Sequence, residues 1–299
     1  MIDIVRFDHL SQAVPELAPQ VDLLERLFGF RLGERFESED GYTGVHLAMP
    51  GSSDLGWELI APSNATSPLH RFLEGPTGPG LHHVAIRVQR IAQAAAALRD
   101  EGAAPWGDED VDPADEQDIM YIHPRGGGHG FLFQLYEGDA WHTAPAVQDD
   151  GDHTLGIIAL NHLSHAYSSC EELGDWYERL FGMNTIHRGY GDGAPAGFRT
   201  RVLDHSTQQI RFEIIQPASA DSFIQRFLES RGPGMHHVTF EVGDWDRAID
   251  ACVYHGIPTF GERFGDTNGI PWREAFIHPR HTGGVLVQLF WQAEQGAWV

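Results

Sequence analysis

Cysteine is scarce in this chain. There are two, Cys170 and Cys252, in 299 residues, and neither sits in a CxxC pair. Disulfides therefore carry no part of the expected stability, which suits a reducing, cytoplasmic setting. Positive charge is also short: 20 Lys and Arg face 43 Asp and Glu, a formal net charge of -23. Such a field repels phosphate backbones and anionic lipid, so neither nucleic acid nor a membrane surface is an expected partner. A small anionic substrate would need local positive charge, from a metal or a specific Arg. No run approaches the roughly 18–20 uncharged apolar residues that a membrane span needs. The opening MIDIVRFDHL has neither a basic n-region nor an apolar h-region, so no signal peptide is expected.

What is there is repetition. ALNHLSHAY at 159–167 echoes RFDHLSQAV at 6–14, and ERLFGM at 178–183 echoes ERLFGF at 25–30. FEIIQP at 212–217 echoes WELIAP at 57–62, GPGMHHV echoes GPGLHHV, and FIHPRHTGGVLVQLF echoes YIHPRGGGHGFLFQLY. The offset stays between 153 and 155, so the chain is two homologous halves, 1–137 and 156–299. The polar stretch 138–155, GDAWHTAPAVQDDGDHTL, reads as a linker.

A second, weaker repeat lies inside each half. His9 to His83 is 74 residues and Glu58 to Gln134 is 76, while His162 to His237 and Glu213 to Gln288 are both 75. Four modules follow, at 1–75, 76–137, 156–230 and 231–299. Each reads as a strand, a helix such as QVDLLERLFG with apolar positions 23, 24, 27 and 28, and three more strands. A four-stranded sheet carrying one helix leaves its other face bare, and a copy of itself is the simplest cover. The fold expected is α+β, with modules paired within each half to form two curved sheets around clefts.

Period-2 alternation decides which side chains enter those clefts. In HHVAIRV, His82 shares a face with Val84, Ile86 and Val88, whereas His83 goes with Ala85 and Arg87. In the second copy His236 goes with Val238, Phe240 and Val242, and His237 with Thr239 and Glu241. The second histidine of each pair is thus on the smaller, more polar face. The same alternation groups His9 with Ser11 and His162 with Ser164. Glu58, Gln134, Glu213 and Gln288 each sit inside an apolar strand, where an unpartnered polar group is costly. The reading that unites them is a divalent ion held by one residue from each of four strands. The first half offers His9, Glu58, His83 and Gln134, and the second His162, Glu213, His237 and Gln288. Two imidazoles and two oxygens suit Mn, Fe, Co, Ni or Zn, and four ligands on an octahedral ion leave two positions for a bidentate oxygen substrate. The alternative, that one quartet is a polar core network, stays open. His46 and His165 are further acid/base candidates, and His123 and His278 in the IHPR segments are expected to fix turns.

At these residues the sequence resembles the vicinal oxygen chelate superfamily of glyoxalases, bleomycin resistance proteins and extradiol dioxygenases. DHL, NHL, GLHHV, GMHHV and HPRHTGGVLVQL are most similar to methylmalonyl-CoA epimerase patterns. The resemblance implies paired βαβββ modules, metal at the eight positions above, and a metal-dependent isomerase or lyase working through a substrate enolate or enediolate. It usually places a Glu where Gln134 and Gln288 stand, so proton transfer by a ligand would fall to Glu58 and Glu213. An extradiol-type dioxygenase and a non-catalytic ligand-sequestering protein remain as alternatives. The expected partner is a small molecule. A monomer or homodimer is expected, because both sides of each cleft lie in one chain.

Overall fold

The computed structural model describes residues 1–52, 54–107, 119–143, 147–149, 151–191 and 197–296. The fold is α+β, built from four βαβββ modules. The first runs β1 (Ile4–Ala13), α1 (Leu17–Arg26), β2 (Arg31–Ser38), β3 (Tyr42–Ala48) and β4 (Gly56–Pro62). A short helix α2 (Leu69–Leu73) leads into β5 (Gly80–Val88), α3 (Ile91–Asp100), β6 (Pro105–Trp106), β7 (Ile119–Ile122) and β8 (Leu132–Tyr136). The second half repeats the plan with β9 (Ile157–Ala166), α4 (Cys170–Phe181), β10 (Asn184–Gly191), β11 (Phe198–Asp204) and β12 (Arg211–Pro217). Helix α5 (Phe223–Arg231) then leads into β13 (Gly234–Val242), α6 (Trp245–Tyr254), β14 (Thr259–Thr267), β15 (Ile270–Ile277) and β16 (Val287–Gln292).

Local signals account for both ends of α4 and the start of α6. Ser169 caps α4 by accepting from the Glu172 N–H, and Gly182 closes the helix in the left-handed region at φ 64°. Asp244 caps α6 in the same way, accepting from the Arg247 N–H.

Each half forms one eight-stranded mixed sheet, in the order β2-β3-β4-β1-β5-β8-β7-β6 and its copy β10-β11-β12-β9-β13-β16-β15-β14. The four strands carrying each predicted quartet are the four central neighbours. Strand pairing therefore stays within a half.

Packing on the helix side does not. The chain forms two compact units, one of Met1–His9, His82–Trp141 and His162–His236, the other of Leu10–Leu81, His142–Asn161 and His237–Val299. Each unit takes one module from each half. In the first, Trp176, Tyr177 and Phe181 of α4 surround Phe133 of β8 at ring separations of 5.7, 6.2 and 5.3 Å. In the second, Phe28 and Phe30 just beyond α1 meet Phe240 of β13 edge-on at 5.8 and 5.9 Å, with Trp57 of β4 at 6.3 Å. Each such ring contributes roughly 1.5–3 kcal/mol on burial.

The same contact recurs in both units beside the HH strands. Gly284 has φ +94°, and a Cβ there would fall 1.7 Å from the Pro79 carbonyl oxygen; Gly130 has φ +93° and would meet that of Pro233 at 1.9 Å. Only glycine permits both the conformation and the approach. The adjoining loop is held by Gln12, whose Nε2 donates to Thr282 O at 2.8 Å and Gly283 O at 3.0 Å. In the other unit His165 takes the part of Gln12 and donates from Nε2 to His129 O at 2.9 Å.

Candidate metal centres

In the first half, His9 of β1, Glu58 of β4 and His83 of β5 bring one ligand atom each to within 4.8 Å of one another. All three are buried, as is Gln134 of β8. Sheet order explains the convergence: β4, β1, β5 and β8 are consecutive neighbours, and each presents this side chain to the same face. The His9 and His83 rings meet edge-on at 5.5 Å. Ser11 donates to Glu58 Oε1 at 2.7 Å, and His82 and His83 hydrogen-bond through their Nδ1 atoms at 2.9 Å. Gln134 Nε2 donates to the Tyr121 hydroxyl at 3.1 Å, from the cross-strand position on β7. Among the described residues, Gln134 Oε1 is buried with no hydrogen-bond partner.

Asp8 adds a feature that alternation alone does not suggest. Its carboxylate accepts from His9 Nδ1–H at 2.9 Å and pairs with Arg6 at 3.1 Å. Burial pushes the Asp8 carboxyl up, but the hydrogen bond and charge of His9, the Tyr136 hydroxyl and the Arg6 charge more than offset this, holding it below the ordinary carboxylate value. An ionised Asp8 keeps the His9 proton on Nδ1 and so leaves Nε2 as a ligand atom, the usual outer partner of a metal-binding imidazole. Trp141 closes over this corner, stacked on Tyr136 at 4.2 Å and on His9 at 6.1 Å. The residue lies in the stretch expected as a linker, whose residues 144–146 and 150 fall outside the described ones. The Asp149 side chain of the same stretch is covered and pairs with Arg247 at 3.3 Å.

The second half brings His162, Glu213 and His237 together within the same 4.8 Å limit. His162 Nε2 lies 3.4 Å from Glu213 Oε2. Ser164 donates to that oxygen at 2.9 Å, and Thr200 to Glu213 Oε1 at 3.0 Å. Gln288 opposes Thr239 in register and accepts from its hydroxyl at 2.6 Å through Oε1. Its Nε2 donates to Glu274 Oε2 at 2.8 Å, and Glu274 is itself held by Arg263 Nε at 2.6 Å. Asn161 stands where the first half has Asp8, and donates to Glu241 Oε2 at 3.1 Å.

The remaining histidines divide by role. His236 packs on the rings of Phe227 and Phe223 at 4.9 and 5.9 Å, as a layer-packing residue should. His123 and His278 accept from the Arg125 and Arg280 N–H groups at 3.1 and 3.2 Å, which fixes their turns. His165 is fully buried away from its quartet, donating to His129 O and accepting from the Tyr177 hydroxyl at 3.0 Å. Burial pushes it down to about 4, so it is neutral at ordinary pH. His46 lies directly across from Glu58 in the β3–β4 register, and its ring stacks at 6.3 Å on that of His142. Asp8, Tyr121, Thr200, Thr239, Glu274 and His142 were not singled out as site residues by pattern. Asp8 and Thr239 carried a signal, one next to His9 and the other sharing a strand face with His237.

The donor set fits a divalent ion on this geometry: two imidazoles and a carboxylate converge, and in the first half a buried amide oxygen has no hydrogen-bond partner among the described residues. A family model for the glyoxalase/bleomycin resistance protein/dioxygenase superfamily matches residues 8–121 and again 161–276. The chain belongs to that superfamily. Among relatives of this superfamily chain is the ethylmalonyl-CoA/methylmalonyl-CoA epimerase of Cereibacter sphaeroides, 28% identical over 124 residues, covering 41% of this chain and 90% of the epimerase. The 4-hydroxyphenylpyruvate dioxygenase of Pseudomonas aeruginosa is 24% identical over 201 residues, covering 62% of this chain and 53% of that enzyme. A mutant 4-hydroxymandelate synthase from Streptomyces coelicolor superposes with a TM-score of 0.72 at 14% identity, covering 100% of this chain and 95% of that one, a likeness of fold alone. No helix among the described residues is long and apolar enough to cross a membrane.

Proposed function

We propose that this superfamily member is a divalent-metal-dependent isomerase or lyase of glyoxalase or epimerase type, acting through an enolate or enediolate of a small oxygen-chelating substrate. The observation that carries this reading is the doubled cluster of two histidines and one carboxylate, each beside a glutamine strand. His9, Glu58, His83 and Gln134 would hold one ion, and His162, Glu213, His237 and Gln288 the other. When bound, the ion (Zn, Ni, Co, Mn or Fe) supplies Lewis acidity to the substrate oxygens. The protein's own part is proton transfer and positioning. Glu58 and Glu213 are the catalytic candidates: a carboxylate beside the substrate takes the proton next to a carbonyl and returns it. Ser11 fixes the first carboxylate, and Ser164 with Thr200 the second. Asp8 holds the His9 tautomer, and His46, opposite Glu58, is the nearest candidate for a second acid/base group.

The epimerase relatives make a 2-substituted malonyl-CoA thioester the first substrate to test. Incubation with methylmalonyl-CoA in D2O should place deuterium at C2 with loss of stereochemistry, reduced in Glu58→Gln or Glu213→Gln and abolished when both are substituted. A second reading, a ring-cleavage dioxygenase, draws on His162, Glu213 and His237 as a two-histidine, one-carboxylate set. One equivalent of Fe(II) with oxygen uptake on a catechol would overturn the isomerase in its favour. Protein free of metal that still binds its ligand after His83→Ala and His237→Ala together would instead be a sequestering protein.

A further inference from the structure

Resting on the metal-dependent reading, we infer that the two centres are unequal: the first-half centre binds its divalent ion more tightly and fills first. Three differences carry this, all among residues that touch the quartets.

The first is the imidazole partner. His9 donates Nδ1–H to the Asp8 carboxylate, which is itself anchored by Arg6. That raises the basicity of Nε2 and fixes the ring. At the matching position in the second half stands Asn161, an uncharged amide engaged with Glu241. A neutral amide supplies no comparable charge to His162.

The second difference lies on the strand beside the glutamine. Ala85 opposes Gln134 in register, and Thr239 opposes Gln288. Alanine has no hydroxyl, and Gln134 Oε1 is buried without a partner among the described residues. Thr239 donates to Gln288 Oε1 at 2.6 Å, so that oxygen gives up a hydrogen bond before it can ligate.

The third difference is the carboxylate. Both Glu213 oxygens accept hydroxyl donors, and Oε2 also lies 3.4 Å from His162 Nε2. At the register position that Thr200 holds in the second half, the first half has Gly44, which carries no hydroxyl to donate.

The test is titration of the full chain, stripped of metal by chelator, with Co(II) followed by its d–d absorption and by calorimetry. One tight and one weaker equivalent are expected, with the tight one missing in His83→Ala and the weaker one missing in His237→Ala. Asp8→Asn should weaken the tight equivalent by roughly 10–100-fold. Thr239→Ala should tighten the weaker one by about three- to tenfold. Asn161→Asp, which adds a carboxylate rather than removing one, should narrow the gap even if Asp8→Asn folds poorly. Two equivalents of equal affinity, or a tight equivalent lost in His237→Ala and kept in His83→Ala, would overturn the inequality while leaving the metal-dependent reading intact. No bound metal in any variant would overturn that reading itself.

Discussion

The two halves carry the same donors on the same strands, yet the residues around those donors differ at almost every contact. Asp8 in one half corresponds to Asn161 in the other and Ala85 to Thr239, and Tyr121 and Phe276 occupy the register position across from the glutamine. His46 lies opposite Glu58 where Val202 lies opposite Glu213. Duplication reproduces backbone geometry, because strand order and alternation set where a side chain points. It does not reproduce the electrostatic setting of that side chain, which depends on single neighbours. The loops between modules show the opposite balance: Gly130 and Gly284 make the same close approach in the two units, and there the steric demand leaves no room for divergence.

Experiments that pair matching substitutions break or sharpen this comparison. The largest effect is expected at the carboxylates. Glu58→Gln and Glu213→Gln should each lower turnover at their own centre by roughly 10²–10⁴-fold with the fold intact, measured by deuterium exchange and circular dichroism. If only one substitution matters, a single half carries the chemistry. Next come Gly284→Ala and Gly130→Ala. Each forces a Cβ onto a carbonyl oxygen and should cost about 3 kcal/mol or more in urea unfolding, by equal amounts in the two units. Unequal losses would show that the two packing interfaces are less alike than their geometry.

His165 gives the halves a different dependence on pH. Its folded value near 4 lies below the ordinary 6.5 of an exposed histidine. Between those limits only the unfolded chain takes up the proton. Its contribution is therefore full above pH 6.5 and is lost as pH falls toward 4, by no more than about 3 kcal/mol. His165→Gln, which copies Gln12, should flatten unfolding free energy against pH in that window; Gln12→His should steepen it. The smallest effect is expected from Ser11→Ala and Ser164→Ala, about 1 kcal/mol each.

Much of this was legible in the residues. The doubled repeat, the four modules and the choice of His83 over His82 follow from period and spacing, and the eight predicted positions fall on the four central strands of each sheet. Asp8 was harder to read, because alternation assigns it to the face away from His9, whereas its short side chain reaches the adjacent imidazole across the strand edge. Nothing in the repeat or in the alternation marks Glu274. Its burial and its bond to Gln288 depend on β15 lying antiparallel to β16 in one register. Trp141 and His142 sat in a stretch whose composition suggested only a connection, and composition cannot tell where a chain passes over a sheet.

By itself the sequence determined the α+β class, the modules and which His and Glu side chains would converge, because hydrophobic period and repeat spacing are local quantities that folding preserves. The tertiary structure alone decided which modules share a core. Strands pair within a half, while α4 packs on Phe133 and the residues after α1 pack on Phe240, so each unit draws on both halves. It alone also decided how the two quartets differ, since a hydrogen bond such as Thr239 to Gln288, or Asp8 to His9, exists only once strands distant in sequence have met or a ring has been turned by its surroundings.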